Sequence, residues 1–322
     1  MTTWEEALDI VRLADELGYD LVVIPESFGR EGFTLCDRML AATTRIHVCL
    51  GIANVFSRSP AVLASTAATL DELSDGRFTL GLGSSTRNLV EGWHGVPFGK
   101  PLTRMRETIE MCRRIWARDK SPYDGRIFRA GGVKLGFQPV RERIPVWLGA
   151  LLPKTLELCG ELGDGWLPTL QPVECLAAGR AALARGAARV GRDQAEITVA
   201  HNVNLFVTDE PEKILELVKF AIAIYYGPPN SPYAEAAAGL GYAPDVAAIS
   251  AAYASGGSAA AAAAASNRLA KSMSIAGPID SCREQIDELL GRGADRVVLG
   301  LPAPTRNQCR PILEGVIPRR LR

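Results

Sequence analysis

Histidine is scarce in this chain: His47, His94 and His201 are the only three among 322 residues. The seven cysteines, at 36, 49, 112, 159, 175, 282 and 309, are odd in number and never stand as C-x-x-C. These two scarcities exclude a metal site assembled from local spacing. They point to reduced, mostly buried thiols and a cytoplasmic protein. Neither charge is in surplus, because 36 Lys plus Arg balance 36 Asp plus Glu. A nucleic-acid binder needs a positive excess, so no nucleic-acid partner is expected. A basic-then-apolar signal region is missing from the N-terminus. The uncharged stretch 246–267 has the length of a membrane span, yet its only larger apolar residues are Val246, Ile249 and Tyr253. Ala, Ser and Gly transfer poorly into lipid, so no membrane helix is expected there. Nucleotide and acyl-transfer motifs fail as well. Gly81-Leu82-Gly83-Ser84-Ser85-Thr86 lacks the third glycine of a dinucleotide loop. Gly95 to Lys100 has the wrong spacing for a phosphate loop, with Pro101 at its Ser/Thr position, and G-x-S-x-G is absent.

What is present is a repeated strand–helix grammar. Thr3-x-x-Glu6 has capping-box spacing, and Trp4, Leu8, Val11, Ala14 and Leu17 follow at helical intervals until Gly18. Apolar runs predict seven strands, at 21–26, 46–52, 78–83, 145–150, 165–169, 197–207 and 296–302. Helices are expected from Ser59-Pro60 to Leu73, from Pro101 to Trp116, and over 154–162, 173–190, 211–224 and 280–290. Asp75-Gly76 reads as a turn. Such alternation means a parallel sheet covered on both faces. No composition break divides the chain, which favours an α/β fold of the (β/α)8 TIM-barrel type, one domain over 1–322. Insertions are expected at about 121–144, as a hairpin and loop, and at about 227–268, where seven consecutive alanines favour helix. Seven strands are one short of a barrel. The absent first strand belongs before the first helix, where only Met1 to Trp4 is available. Either a start codon placed too late or a barrel with a gap beside 296–302 would account for it.

In a barrel of this kind the chemistry lies at the carboxyl ends of the strands. Those ends carry Glu26-Ser27, Gly51-Ile52-Ala53-Asn54, Gly83-Ser84-Ser85, Ala150-Leu151 and Thr169. Small residues dominate, admitting a flat ring and leaving N–H groups to bind it. Lys154 adds a positive charge to a helix N-terminus suited to phosphate. Asn54 is read as a ring contact, with a loop-backbone role as its alternative.

The chain resembles the bacterial luciferase-like flavin and deazaflavin oxidoreductases, within them the branch similar to F420-dependent methylene-tetrahydromethanopterin reductase. The resemblance rests on Ala14 to Asp20, Asn54-Val55-Phe56-Ser57-Arg58-Ser59-Pro60, and Leu70 to Phe78 running into Leu80-Gly81-Leu82-Gly83. Glu91-Gly92-Trp93-His94-Gly95, Pro101-x-x-Arg104-x-Arg106-Glu107 and Gly160 to Gly165 extend it in order along nearly the whole chain. It is weaker over 227–268. The resemblance implies a barrel with coenzyme F420 across the strand ends and a non-prolyl cis peptide at Gly51–Ile52. It further implies hydride transfer between the reduced deazaflavin and an electrophilic carbon of a small-molecule substrate, in a homodimer. An FMN-dependent monooxygenase, a redox-inactive flavin-binding barrel and a barrel repurposed for non-redox chemistry are the alternatives. Some F420 dehydrogenases of the family carry an acid and a histidine at strand ends, where this chain has Ser84 or Ser85 and Ser27. Glu26 and His94 are then the nearest candidates for a general acid. Capping or pairing with Arg30 is the other role open to Glu26, and a structural loop role the other open to His94.

Overall fold

The computed structural model of the chain describes residues 3–132, 134–301 and 305–317. Its strands are β1 (Leu21–Ile24), β2 (His47–Asn54), β3 (Phe78–Gly83), β4 (Tyr123–Asp124), β5 (Arg129–Ala130), β6 (Val146–Leu148), β7 (Gly165–Trp166), β8 (Thr198–Val207), β9 (Ser274–Gly277) and β10 (Arg296–Gly300). The helices of the barrel wall are α1 (Trp4–Glu16), α2 (Gly32–Ala41), α3 (Pro60–Leu73), α4 (Arg87–Gly92), α5 (Pro101–Trp116), α6 (Pro153–Leu162) and α7 (Cys175–Arg189). Next come α8 (Pro211–Tyr226), α9 (Pro232–Ala237), α10 (Ala243–Ala264), α11 (Asn267–Ser272), α12 (Ile279–Gly291) and α13 (Arg306–Val316).

Local chemistry sets many of these boundaries. Thr3 and Glu6 close the capping box that starts α1, and the Ser59 side chain accepts the Val62 N–H to start α3. The left-handed pair Asp75 (φ +54°) and Gly76 (φ +79°) turns the chain from α3 into β3.

Seven strands pair in parallel in the order β1-β2-β3-β6-β7-β8-β10, and β9 pairs in parallel with the outer half of β8. The strand count therefore needs correction, since 274–277 is a strand that periodicity did not reveal. Its sequence, Ser-Ile-Ala-Gly, is too short and too small for an alternating pattern. Helices α2, α4 and α13 are likewise additional to the sequence-based assignment.

Alternation along each strand sorts the side chains into two sets. Leu21, Val23, Cys49, Trp147, Leu167, Ala200 and Val298 face inward and pack together with Ile52 as the barrel's inner core. Val48, Leu50, Phe78, Leu80, Leu82, Val146, Leu148, Val199 and Val203 face outward and pack under the helices. All seven cysteines are buried.

Between β10 and β1 the sheet stays open among the described residues, and no described strand precedes α1. Met1, Thr2 and residues 302–304 lie outside the described residues. Helix packing spans the seam in place of a ladder. Leu13 of α1 packs on Cys309 and Leu313 of α13, and the Tyr19 hydroxyl donates to the Leu313 carbonyl at 2.8 Å. Asp20 and Arg296 pair across it at 2.6 Å.

Both expected insertions leave the strand–helix alternation. The first is the antiparallel hairpin β4–β5. Glu107 of α5 anchors it, accepting the N–H groups of Arg126, Ile127 and Phe128 at 2.7, 3.0 and 2.9 Å. The second insertion forms α9–α11, which share with α8 an apolar cluster built around Ile222, Tyr226, Tyr242 and Leu269. Residues Pro232–Ala264 have the length and mean hydropathy (1.2) of a membrane span. They are not one continuous helix, because Gly241 (φ +93°), Gly256 and Gly257 (φ +65°) leave the helical conformation.

Candidate active site

The carboxyl end of the barrel is built around one bulge. The β2–β3 ladder slips register between Leu50 and Ala53, and the Gly51–Ile52 peptide is cis. Gly51 and Ile52 both turn inward. A side chain at Gly51 would collide with Val23 at 2.3 Å and Leu167 at 2.8 Å, so only glycine fits the inner wall there. Ile52 lies over Gly83 and Gly149, where a Cβ would come within 2.6 Å and 3.4 Å of its side chain. One step further in, a Cβ at Gly81 would strike the Leu50 carbonyl oxygen at 1.8 Å. Three neighbouring strands thus give up their side chains to make a low floor with a single aliphatic boss. Such a floor admits a flat ring where ordinary barrel side chains would fill the mouth.

Asn54 closes β2 beside this floor and is 4% exposed. Its Oδ1 accepts the Phe56 N–H at 2.9 Å, while its Nδ2 is buried with no partner. A buried amide donor with no acceptor is costly, about 1–3 kcal/mol, and calls for a partner such as a ligand or an ordered water. Ser84 and Ser85 follow β3 directly. Ser85 adopts φ +58°, a left-handed conformation uncommon for a non-glycine residue and concentrated at functional turns. Thr169 bridges to Asn202 past the end of β7, and Leu170 beside it is also left-handed at φ +54°. Leu151 lies just beyond β6. Lys154 is exposed in the first turn of α6 and makes no ion pair among the described residues.

Gly51, Ile52, Asn54, Gly83, Ser84, Ser85, Leu151 and Thr169 therefore gather around one mouth. Ala53 and Ala150 do not. Both are packed in the outer core, and the Ala150 carbonyl accepts the Trp166 indole N–H at 2.8 Å. Strand alternation explains their placement, since each follows an inward residue.

Of the two general-acid candidates, Glu26 is fully engaged. Arg58 donates to both its oxygens, at 2.7 and 2.9 Å, and the Gly32 N–H donates to Oε2 at 3.0 Å. Its partner is Arg58, not Arg30. These three contacts brace the loop after β1 against Arg58 and the start of α2. The second candidate, His94, is half-buried in the loop after α4, and its ring makes no hydrogen bond among the described residues. His201 lies on the outer face of β8, 4.0 Å from the Cys175 sulfur, and burial pushes its imidazole down to about 4.

Two mouth residues escaped the sequence reading. Ala200 faces inward, so Asn202 and Asn204 of β8 do too, and Asn204 sits where a Cβ on Gly300 would meet its Oδ1 at 2.5 Å. Period two along 198–207 carried the signal: apolar residues at 199, 203 and 205 alternate with amides at 202 and 204. Arg104 of α5 completes the surroundings of β2. Its guanidinium lies 4.7 Å from the Phe56 ring centre and 5.1 Å from that of Phe128, with a buried, unpartnered Nε. Burial lowers its pKa.

Known proteins resemble this chain in sequence and in fold. The sequence profile of the luciferase-like monooxygenase family matches residues 1–296. A Mycobacterium tuberculosis protein named as a coenzyme F420-dependent oxidoreductase is 30% identical over 296 residues, covering 86% of this chain and 85% of its own. The 5,10-methylenetetrahydromethanopterin reductase of Archaeoglobus fulgidus is 31% identical over 299 residues, 91% of this chain and 88% of its own. Among solved structures, the coenzyme F420-dependent tetrahydromethanopterin reductase of Methanopyrus kandleri superposes with a TM-score of 0.81. It covers 97% of this chain and 94% of its own at 23% identity, a likeness of fold.

Proposed function

The chain belongs to the luciferase-like monooxygenase family, an enzyme class, and from that premise we propose that it is an F420-dependent oxidoreductase acting on a small organic substrate. The observation that carries this reading is the unpartnered Nδ2 of Asn54 beside the side-chain-free floor at Gly83 and Gly149. When bound, a reduced deazaflavin would supply a hydride to an electrophilic carbon, with a proton taken up at the neighbouring heteroatom.

The residues present fit such a group. Ile52 would support a planar ring, and Gly83 and Gly149 would leave it room. Asn54 offers an N–H to a ring oxygen or nitrogen. Ser84, Ser85 and Thr169 offer hydroxyls around the rim, and Lys154 offers a positive charge to a phosphate-bearing tail. Asn202 and Asn204 extend the polar lining on the opposite side of the mouth. With Glu26 engaged by Arg58, proton delivery is left to solvent or to His94, whose ring makes no hydrogen bond among the described residues.

Titration of the protein with oxidised and reduced F420, followed by the absorbance of the deazaflavin ring, tests the proposal. Saturable binding is expected. Binding of neither form, or micromolar FMN binding with oxygen-dependent turnover, would overturn it.

A further inference from the structure

Phe28 and Trp93 are exposed at 69% and 61%, and neither packs against any apolar cluster of the interior. They meet each other instead, with ring centres 5.9 Å apart and planes at 79°. Edge-to-face contact is a favoured geometry for two aromatic rings. Leaving two large rings mostly in water nonetheless forgoes the stabilisation that burying them would give. Trp116, Trp147 and Trp166 are buried, and Trp4 packs on the outer core, so Trp93 stands apart from the other four tryptophans.

The topology gives the pair its place. Phe28 lies in the segment after β1, and Trp93 closes α4 after β3. In the sheet β2 runs between those two strands. The ring pair therefore joins the two loops that flank the carboxyl end of β2, where Ile52 and Asn54 lie. Glycines border both rings. A Cβ at Gly29, Gly92 or Gly95 would meet nothing within 4 Å, so the space beside the pair is open. An edge-to-face pair also covers only one of its four ring faces, leaving others that a flat conjugated guest can cover by stacking.

We propose that Phe28 and Trp93 form the binding wall for the hydride acceptor, and that this acceptor carries a planar conjugated ring. The inference rests on the reading of the site as a deazaflavin-dependent oxidoreductase. The two readings separate spatially: the floor at Ile52, Gly83 and Gly149 serves the cofactor, and the exposed rim serves a molecule arriving from solvent. A planar acceptor gains ring-to-ring contact at this rim, whereas a saturated acceptor of equal size gains only apolar area.

Equilibrium dialysis with quinoxaline as a planar probe and cyclohexanone as a saturated one tests this. It uses the full chain with and without F420, as wild type, Trp93→Leu, Phe28→Leu and Trp93→Phe. Wild type should bind quinoxaline more tightly than cyclohexanone. Trp93→Leu and Phe28→Leu should weaken quinoxaline at least fivefold, Trp93→Phe should restore most of it, and all variants should bind F420 within twofold of wild type. Equal quinoxaline affinity in wild type and both leucine variants would overturn the proposal. So would F420 affinity falling with quinoxaline affinity, because the rings would then belong to the cofactor site. Trp93-dependent quinoxaline binding in a protein that binds no F420 would keep the aromatic wall and remove the cofactor reading.

Discussion

Asn54 offers one acceptor and one donor group, and the fold itself uses only the acceptor. Asn54→Ala leaves the Phe56 N–H without its partner, which should cost about 1–3 kcal/mol in urea unfolding. If Nδ2 serves the cofactor, the same variant should also bind F420 at least tenfold more weakly; unchanged affinity would reduce Asn54 to a turn residue. Glu26 separates in the opposite sense. Glu26→Gln breaks a mostly buried pair, with side chains 12% and 18% exposed, and should cost about 2–4 kcal/mol. The pH profile of kcat should not change, because the carboxylate acts as a brace. A lost limb in that profile would show that Glu26 titrates in catalysis after all. The two residues differ in how far the sequence could reveal them. Asn54 declares itself by standing at a strand end. The partner of Glu26 lies 32 positions away on another loop, while Arg30 was the cation nearest in sequence.

Glu107 accepts three N–H groups of the β4–β5 hairpin, and beside it the Tyr123 hydroxyl donates to Glu110 at 2.7 Å. Burial pushes the Glu107 carboxyl up, but the N–H groups of Phe128, Ile127 and Arg126 outweigh it and hold the pKa below the ordinary value. The same contact fixes Gly125, whose Cβ would lie 2.5 Å from Glu107 Oε2, and sets Phe128 against Arg104. Glu107→Gln should therefore free the hairpin locally. Hydrogen exchange at amides 126–128 should accelerate at least tenfold, with a loss of about 2–4 kcal/mol in global stability. Unchanged exchange there would show that the hairpin is held by other contacts. Elements of this kind mark the boundary of what periodicity conveys. Long strands such as 198–207 and capped helices such as Pro60–Leu73 were legible because pattern and capping agree. Strand Ser274–Gly277 was not, because it exists through pairing with residues 204–207, some 70 positions earlier. The floor of the mouth was half legible: the glycines at 51 and 83 stood out, and their complementarity to Ile52 needed three dimensions.

The molecule as a whole closes its core with two kinds of buried titratable group, and they fail at different pH. Asp15 is pushed up by burial but held low by the N–H groups of Thr44, Ile46 and Arg45, tying α1 to the start of β2. Its folded pKa lies below the unfolded value of 3.8, so its contribution is complete above that pH and is lost only in stronger acid. His201 acts earlier. Burial takes its folded pKa to about 4 against an ordinary 6.5, so the imidazole is neutral in both states above pH 6.5. As pH falls below 6.5 the unfolded chain takes up a proton that the folded barrel refuses until near pH 4, and stability declines across that window. His47, at the start of β2, shifts the same way through burial and the charges of Arg141 and Arg296. Between pH 7.5 and 5 the wild type should therefore lose about 2 kcal/mol more than His201→Gln, compared as slopes of unfolding free energy against pH. Comparing slopes removes the packing cost of the substitution itself, which is the same at every pH. Parallel slopes would mean that His201 takes its proton inside the folded barrel, and that the contact between β8 and α7 opens to admit it.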